Sequence, residues 1–190
     1  MVHLATLWLP IVLCVVGVFF ASSLIWMALP IHKNDYRKIG GAEAEVMSAV
    51  RSAGLGEGVY MFPACDPATL KDNAVAQERY KTGPWGTISV RAGPVSMGAC
   101  LGMWLVNLAI VSVLVAYVAS LAVPAGAGWV KVTQVVFTAA LLAYGGSTLT
   151  DSIWKGRPWA LLPGALFDAV VYAAINAAIF SWLWPGAPAA

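Results

Sequence analysis

Asp168, Tyr172 and Asn176 recur at every fourth position inside a run of otherwise apolar residues. On a helix this spacing sets a carboxylate, a phenol and an amide along one stripe. An ionisable side chain in an apolar helix is expensive in a membrane and marks a functional site by default. The chemistry on offer is proton or cation exchange, or a hydrogen bond that fixes helix register. Counted from the ends of the apolar runs, Asp168 and Asn107 fall at the same depth, ~12 to 14 Å from one membrane face. Asn176 falls level with Thr138, with Gln134 one turn further on. The expectation is therefore a hydrogen-bonded network of Asn107, Gln134, Thr138, Tyr144, Asp168, Tyr172 and Asn176, in which Asp168 is satisfied by Asn107, Tyr144 or Arg157.

Beside that stripe runs a second one, of small residues: Ala165, Ala169, Ala173, Ala177 and Ser181. Small side chains at every fourth position let another helix approach closely, and the gain is van der Waals contact that lipid cannot match. Ala139, Ala143 and Ser147 make a shorter version on the preceding run. These are read as packing faces, within one chain or between copies.

Other chemistry finds little support. His32 with Asp35 is an acid/base pair by residue type, and is read as part of a solvated juxtamembrane loop. No Ser/His/Asp arrangement, phosphate loop or paired-carboxylate motif is present, so no catalytic residue is assigned. His32, Met61, Cys65, Met97 and Cys100 are the residue types that suit a soft metal. They lack a ligand spacing, and Met and Cys pack like other apolar side chains, so neither a metal nor a cofactor is expected. Three cysteines with no CxxC pair argue against a disulfide framework and fit a reducing compartment.

The elements that must position these groups are four apolar runs, 4–29, 99–123, 129–150 and 159–184, each longer than the ~20 residues needed to span a bilayer. Composition agrees, with 60% hydrophobic and only 11% charged residues and a mean hydropathy of +0.77. A net charge of +2, with no basic patch interleaved with aromatics, excludes nucleic acid as a partner. The first run is too long for a signal-peptide core and lacks a basic start, so it is read as an uncleaved anchor. Of the 11 Lys and Arg residues, all but Lys131 lie in 30–98 or in the 151–158 connection. The positive-inside rule places that side in the cytoplasm and both termini outside. Tryptophans near the run ends, Trp8, Trp26, Trp129, Trp154, Trp159, Trp182 and Trp184, read as interface anchors.

The polar insertion, 30–98, reads as α, β, α, β: a helix over 41–53, a strand at 59–62, a helix from an Asp66 cap to about Lys81, and a strand at 87–91. Two short strands are marginal alone, which points to support from the membrane helices, another copy or a partner.

The stretch Ile153-Trp154-Lys155-Gly156-Arg157-Pro158-Trp159, with Phe167-Asp168-Ala169, Tyr172 and Trp182-Leu183-Trp184-Pro185, resembles the C-terminal part of a group of small uncharacterised bacterial inner-membrane proteins. His32-Lys33-Asn34-Asp35-Tyr36 and Tyr60-Met61-Phe62-Pro63 are similar as well. The resemblance covers most of the chain and implies a bacterial origin and a four-span layout, with no activity attached.

The reading is an all-α membrane protein, a four-transmembrane-helix bundle with a small α/β soluble insertion between helices 1 and 2. It is expected in the bacterial inner membrane in contact with lipid, as a non-catalytic scaffold that self-associates or joins a larger complex. The alternative is a small transporter or channel using Asp168 as a proton or cation site. The two differ in whether Asp168 faces a wet cavity or is sealed by partners.

Overall fold

The computed structural model describes residues 2–64 and 66–186. The chain is mostly helical, and four stretches are long and apolar enough to cross a membrane: Leu4–Ala28, Met97–Ala122, Trp129–Trp154 and Trp159–Trp182. In chain order the elements are α1 (Trp8–Ala28), α2 (Glu43–Ser52), β1 (Gly58–Phe62), α3 (Pro67–Asp72), α4 (Ala74–Thr82), β2 (Gly86–Val90), α5 (Met97–Ala122), α6 (Trp129–Gly145), α7 (Thr148–Trp154) and α8 (Leu162–Trp182). They divide into two compact units, one of Met1–Tyr36, Ser96–Ile153 and Arg157–Ala190, the other of Arg37–Val95 with Trp154–Gly156.

In the first unit, a 3₁₀ turn capped by His3 leads into α1. The helix stops at Leu29 because the following Pro30 forces its predecessor out of the helical region. The chain then makes a second 3₁₀ turn, Pro30–His32. Ser96 caps α5 by accepting from the Ala99 N–H, and the helix ends before Pro124 with Val123 extended. A short turn leads to α6, then α7 and, after another 3₁₀ turn, α8. Pro163 sits in the first turn of α8, where its missing N–H goes unnoticed.

The third apolar run is thus two helices, not the continuous 129–150 helix expected. Adjacent Gly145 and Gly146 weaken the helix, and the Thr148 hydroxyl bonds the Gly145 carbonyl at 2.7 Å. Hydropathy continues across this break, so the apolar signal alone does not reveal it.

The four long helices pack in a ring, α1 on α5, α5 on α6, α6 on α8 and α8 on α1. Two apolar clusters fill it. The larger includes Leu7, Cys14, Val115, Val132, Val136, Ala173, Ala177 and Phe180; the smaller joins Val18, Ile25, Leu108 and Tyr172. Outward positions are apolar as well, with Phe20, Met27, Ile110, Leu114 and Leu142 all exposed. A helix apolar on both faces is suited to lipid.

The small-residue stripe of α8 is used inside the chain. Ala169, Ala173 and Ala177 are fully buried, while Ala165 and Ser181 are half-buried. A side chain on Gly145 of α6 would meet the Ala169 Cβ at 3.2 Å, a measure of how closely the two backbones approach. At the other end of the pair the Thr133 and Ser181 hydroxyls bond at 2.7 Å.

In the second unit, β1 and β2 pair antiparallel with Tyr60 opposite Ile88 and Phe62 opposite Gly86. Gly86 leaves room for the Phe62 ring, which would lie 2.7 Å from an added Cβ. The single helix expected to Lys81 is two, α3 and α4. Asn73 turns its side chain onto the Val75 and Ala76 N–H groups, both at 3.0 Å, capping α4 and ending α3. No described residue of 37–95 is buried.

Candidate functional site: a carboxylate–histidine–carboxylate chain beside a polar cavity

Asp168 stands on the second turn of α8, six residues and about 9 Å from its start. Its partners correct the expectation, since neither Asn107, Tyr144 nor Arg157 bonds it. Instead, the Trp26 indole N–H from the last turn of α1 donates to Oδ2 at 3.1 Å, and His32 Nε2 meets Oδ1 at 3.1 Å. The other ring nitrogen of His32, Nδ1, meets Asp35 Oδ2 at 2.9 Å. Trp26 and His32 stack face to face with centroids 4.0 Å apart and planes 1° off parallel.

Local structure explains the assembly. Pro30 ends α1 and starts a 3₁₀ turn that folds His32 back against α8, where its ring lies 3.2 Å from the Cβ position of Gly164. His32 is therefore only 7% exposed and Asp168 only 8%. The solvated juxtamembrane loop expected around His32 is not what forms, and Trp26 is a hydrogen-bond donor, not simply an interface anchor. The sequence signal was proximity in count: Trp26, His32 and Asp35 all fall at the membrane face from which Asp168 was measured.

The chemistry follows from the acceptors. Ionised carboxylates only accept hydrogen bonds, so a ring that bonds one at each nitrogen must carry both protons. Burial opposes the charged ring, but the bonds and charges of Asp35 and Asp168 outweigh it and hold the His32 pKa above its ordinary 6.5. Loss of that proton leaves one nitrogen lone pair facing a carboxylate oxygen. Protonation of His32 thus decides whether Asp35 and Asp168 are both bonded by the ring at once or only one of them.

Beside Asp168 lies a cavity of about 460 Å³. Asn107 of α5, Tyr144 of α6, Ser147, Asp151, Arg157 and Tyr172 share its wall with Asp168. Ala143 and Ser147, expected on a packing stripe, line this space instead. Trp104 crosses its edge, its indole N–H bonded to the Ser22 hydroxyl at 3.0 Å.

The remaining members of the expected network divide. Asn176 is fully buried, but its amide donates to the Tyr172 carbonyl of its own helix at 2.9 Å. Its Oδ1, the Tyr144 hydroxyl and Ser112 Oγ are buried near one another, yet none of the three completes a hydrogen bond. Gln134 and Thr138 do not take part and are exposed. The buried stripe of α6 is Val132, Val136 and Ala140; two residues further on is a rotation of about 200°, which carries Gln134 and Thr138 to the opposite face.

Of the residue types weighed for a soft metal, His32 has both nitrogens occupied by carboxylates, Met97 is exposed, and Cys65 lies outside the described residues. Among the described residues no three His, Cys, Asp or Glu side chains converge on one point. In comparisons with known proteins, no family model, no curated protein and no solved structure matches this chain.

Proposed function

We propose that this chain is a multi-pass protein of the bacterial inner membrane that binds a small polar solute in the cavity and couples binding to protonation of His32, as a small proton-linked transporter does. The observation that carries this is the position of Asp168, at once the end of the Asp35–His32–Asp168 chain and part of a polar cavity wall. Polar groups of this kind in an apolar bundle mark solute and proton pathways. The concentration of basic residues on that side supports a cytoplasmic position for 30–98 and the His32 end. No catalytic step is proposed. Self-association through the α8 stripe loses its support, because α6 already covers that stripe.

The test is an Ala143→Cys variant with the native cysteines replaced by serine, in nanodiscs. A water-soluble thiol reagent should label the introduced thiol, and the rate relative to a free thiol should change across the His32 titration. His32→Gln should abolish that change. An unreactive thiol, or the same pH profile in both chains, contradicts the proposal.

A second reading rests on a separate observation. In residues 37–95 no described residue is buried, although Val59, Met61, Val75 and Trp85 are exposed. A unit without a core gains stability from a partner, which is the behaviour of an accessory subunit.

A further inference from the structure

The cavity wall carries polar groups whose hydrogen-bonding capacity is unused. Asp168 is held by Trp26 and His32, and Asp151 has contacts of its own. Arg157, by contrast, brings a half-buried guanidinium with no hydrogen bond or ion pair among the described residues. The Asn107 amide and the Ser147 hydroxyl, both on exposed residues, likewise bond no protein group among the described residues, and the buried Tyr144 hydroxyl stands beside Asn176 Oδ1 and Ser112 Oγ without completing a bond to either. These four side chains come from α5, α6, the α6–α7 link and the α7–α8 link, so only the fold brings them together.

Arg157 and Tyr144 are partly withdrawn from solvent while Asn107 and Ser147 are open to it, so a ligand entering the cavity can bond them without displacing a protein partner. The set is rich in donors and contains one guanidinium, whose planar fork matches a tetrahedral or planar oxyanion in two parallel bonds. A volume near 460 Å³ is in the ~300 to 1,000 Å³ range of small-ligand sites. It exceeds what a bare phosphate fills and leaves room for a group esterified to it.

We propose that this cavity binds a phosphate-bearing ligand, with the phosphate on Arg157 and supported by Asn107, Ser147 and Tyr144. The proposal rests on the solute-binding reading above and names the class of solute. Two sources share this chemistry, a free phosphate ester and the headgroup of an anionic lipid.

The test uses the full chain in a neutral detergent at matched ionic strength. Tryptophan fluorescence, to which Trp26 and Trp104 on the wall contribute, is followed during titration with inorganic phosphate, glycerol 3-phosphate and dihexanoyl phosphatidic acid. His32 titration by NMR is run on the same samples. At least one probe should saturate, with affinity reduced tenfold or more in Arg157→Gln, partly retained in Arg157→Lys, and reduced several-fold in Tyr144→Phe. Saturation by the free esters identifies a soluble ligand; saturation by the lipid alone identifies a headgroup. His32 should titrate in each variant as it does in the wild type, above its ordinary range, showing that the fold is intact. If no probe saturates while His32 titrates above its ordinary range, the cavity holds water alone and this inference fails, but the proton-linked reading survives. Binding that is unchanged in Arg157→Gln overturns it equally. A His32 that does not titrate in that range counts against the underlying reading instead.

Discussion

The two halves of the helical unit are built differently. One half is apolar: Leu7, Cys14, Val115, Val132, Val136, Ala177 and Phe180 form one cluster, and the segment just after α8 is tied to the turn at Pro124 by the Trp184 indole on the Pro124 carbonyl and the Gly126 N–H on that of Pro185. The other half has only Val18, Ile25, Leu108 and Tyr172 as a core, and beside them the cavity and the His32 chain. The lesson is one of division. An apolar core in one half holds the four helices, while the other keeps the Asp35–His32–Asp168 chain and a polar-walled cavity.

The largest expected effect breaks the apolar half. Phe180 is fully buried there, and Phe180→Ala should destabilise by about 3 to 5 kcal/mol, read as a fall in thermal unfolding temperature in nanodiscs. A loss as small as that of a surface change would mean that this half does not hold the bundle. Ala173→Leu forces a branched side chain into the α6–α8 contact and should cost about 1 to 3 kcal/mol. Because the contact is inside the chain, oligomeric size in detergent should be unchanged. A drop in size with unaltered stability would return the stripe to a contact between copies.

In the polar half, His32→Gln leaves the Asp168 carboxylate short of a partner and should cost about 1 to 3 kcal/mol. That penalty depends on pH with a fixed sign. The folded pKa of His32 lies above its ordinary 6.5, so the stabilisation is fully present below that value and fades as pH rises through the folded one. Wild type and variant should therefore converge at alkaline pH. Convergence at acid pH instead would reverse the assignment of charge. Smallest of all, Gln134→Leu and Thr138→Val face outward and should change stability by less than about 0.5 kcal/mol; a larger loss would restore them to the network.

Much of this was legible from residue order, and the exceptions have physical causes. Four apolar runs specify four long helices because no other element satisfies about twenty consecutive apolar residues in lipid. Asp168 stood out for the same reason. Its partners did not, because nothing local shows that the chain turns back at Pro30 and carries His32 onto α8; that depends on the tertiary fit of a 3₁₀ turn against Gly164. Gln134 and Thr138 were placed by depth alone. Depth is one coordinate of two on a helix, and the apolar stripe Val132–Val136–Ala140 supplies the angle that depth omits. Asn73 and the Gly145-Gly146 pair broke helices where runs of good helix formers read as continuous, since capping and backbone freedom act at single residues.

The central claim is that His32 is held as a cation between two carboxylates beside the cavity. The direct measurement is an NMR pH titration of the ¹⁵N-labelled His32 ring in the full chain in nanodiscs, repeated in Asp35→Asn and Asp168→Asn. The account predicts a midpoint above 6.5 in wild type, shifted down in each variant as one carboxylate loses its charge. A midpoint at or below that value, or one that neither substitution moves, would contradict it.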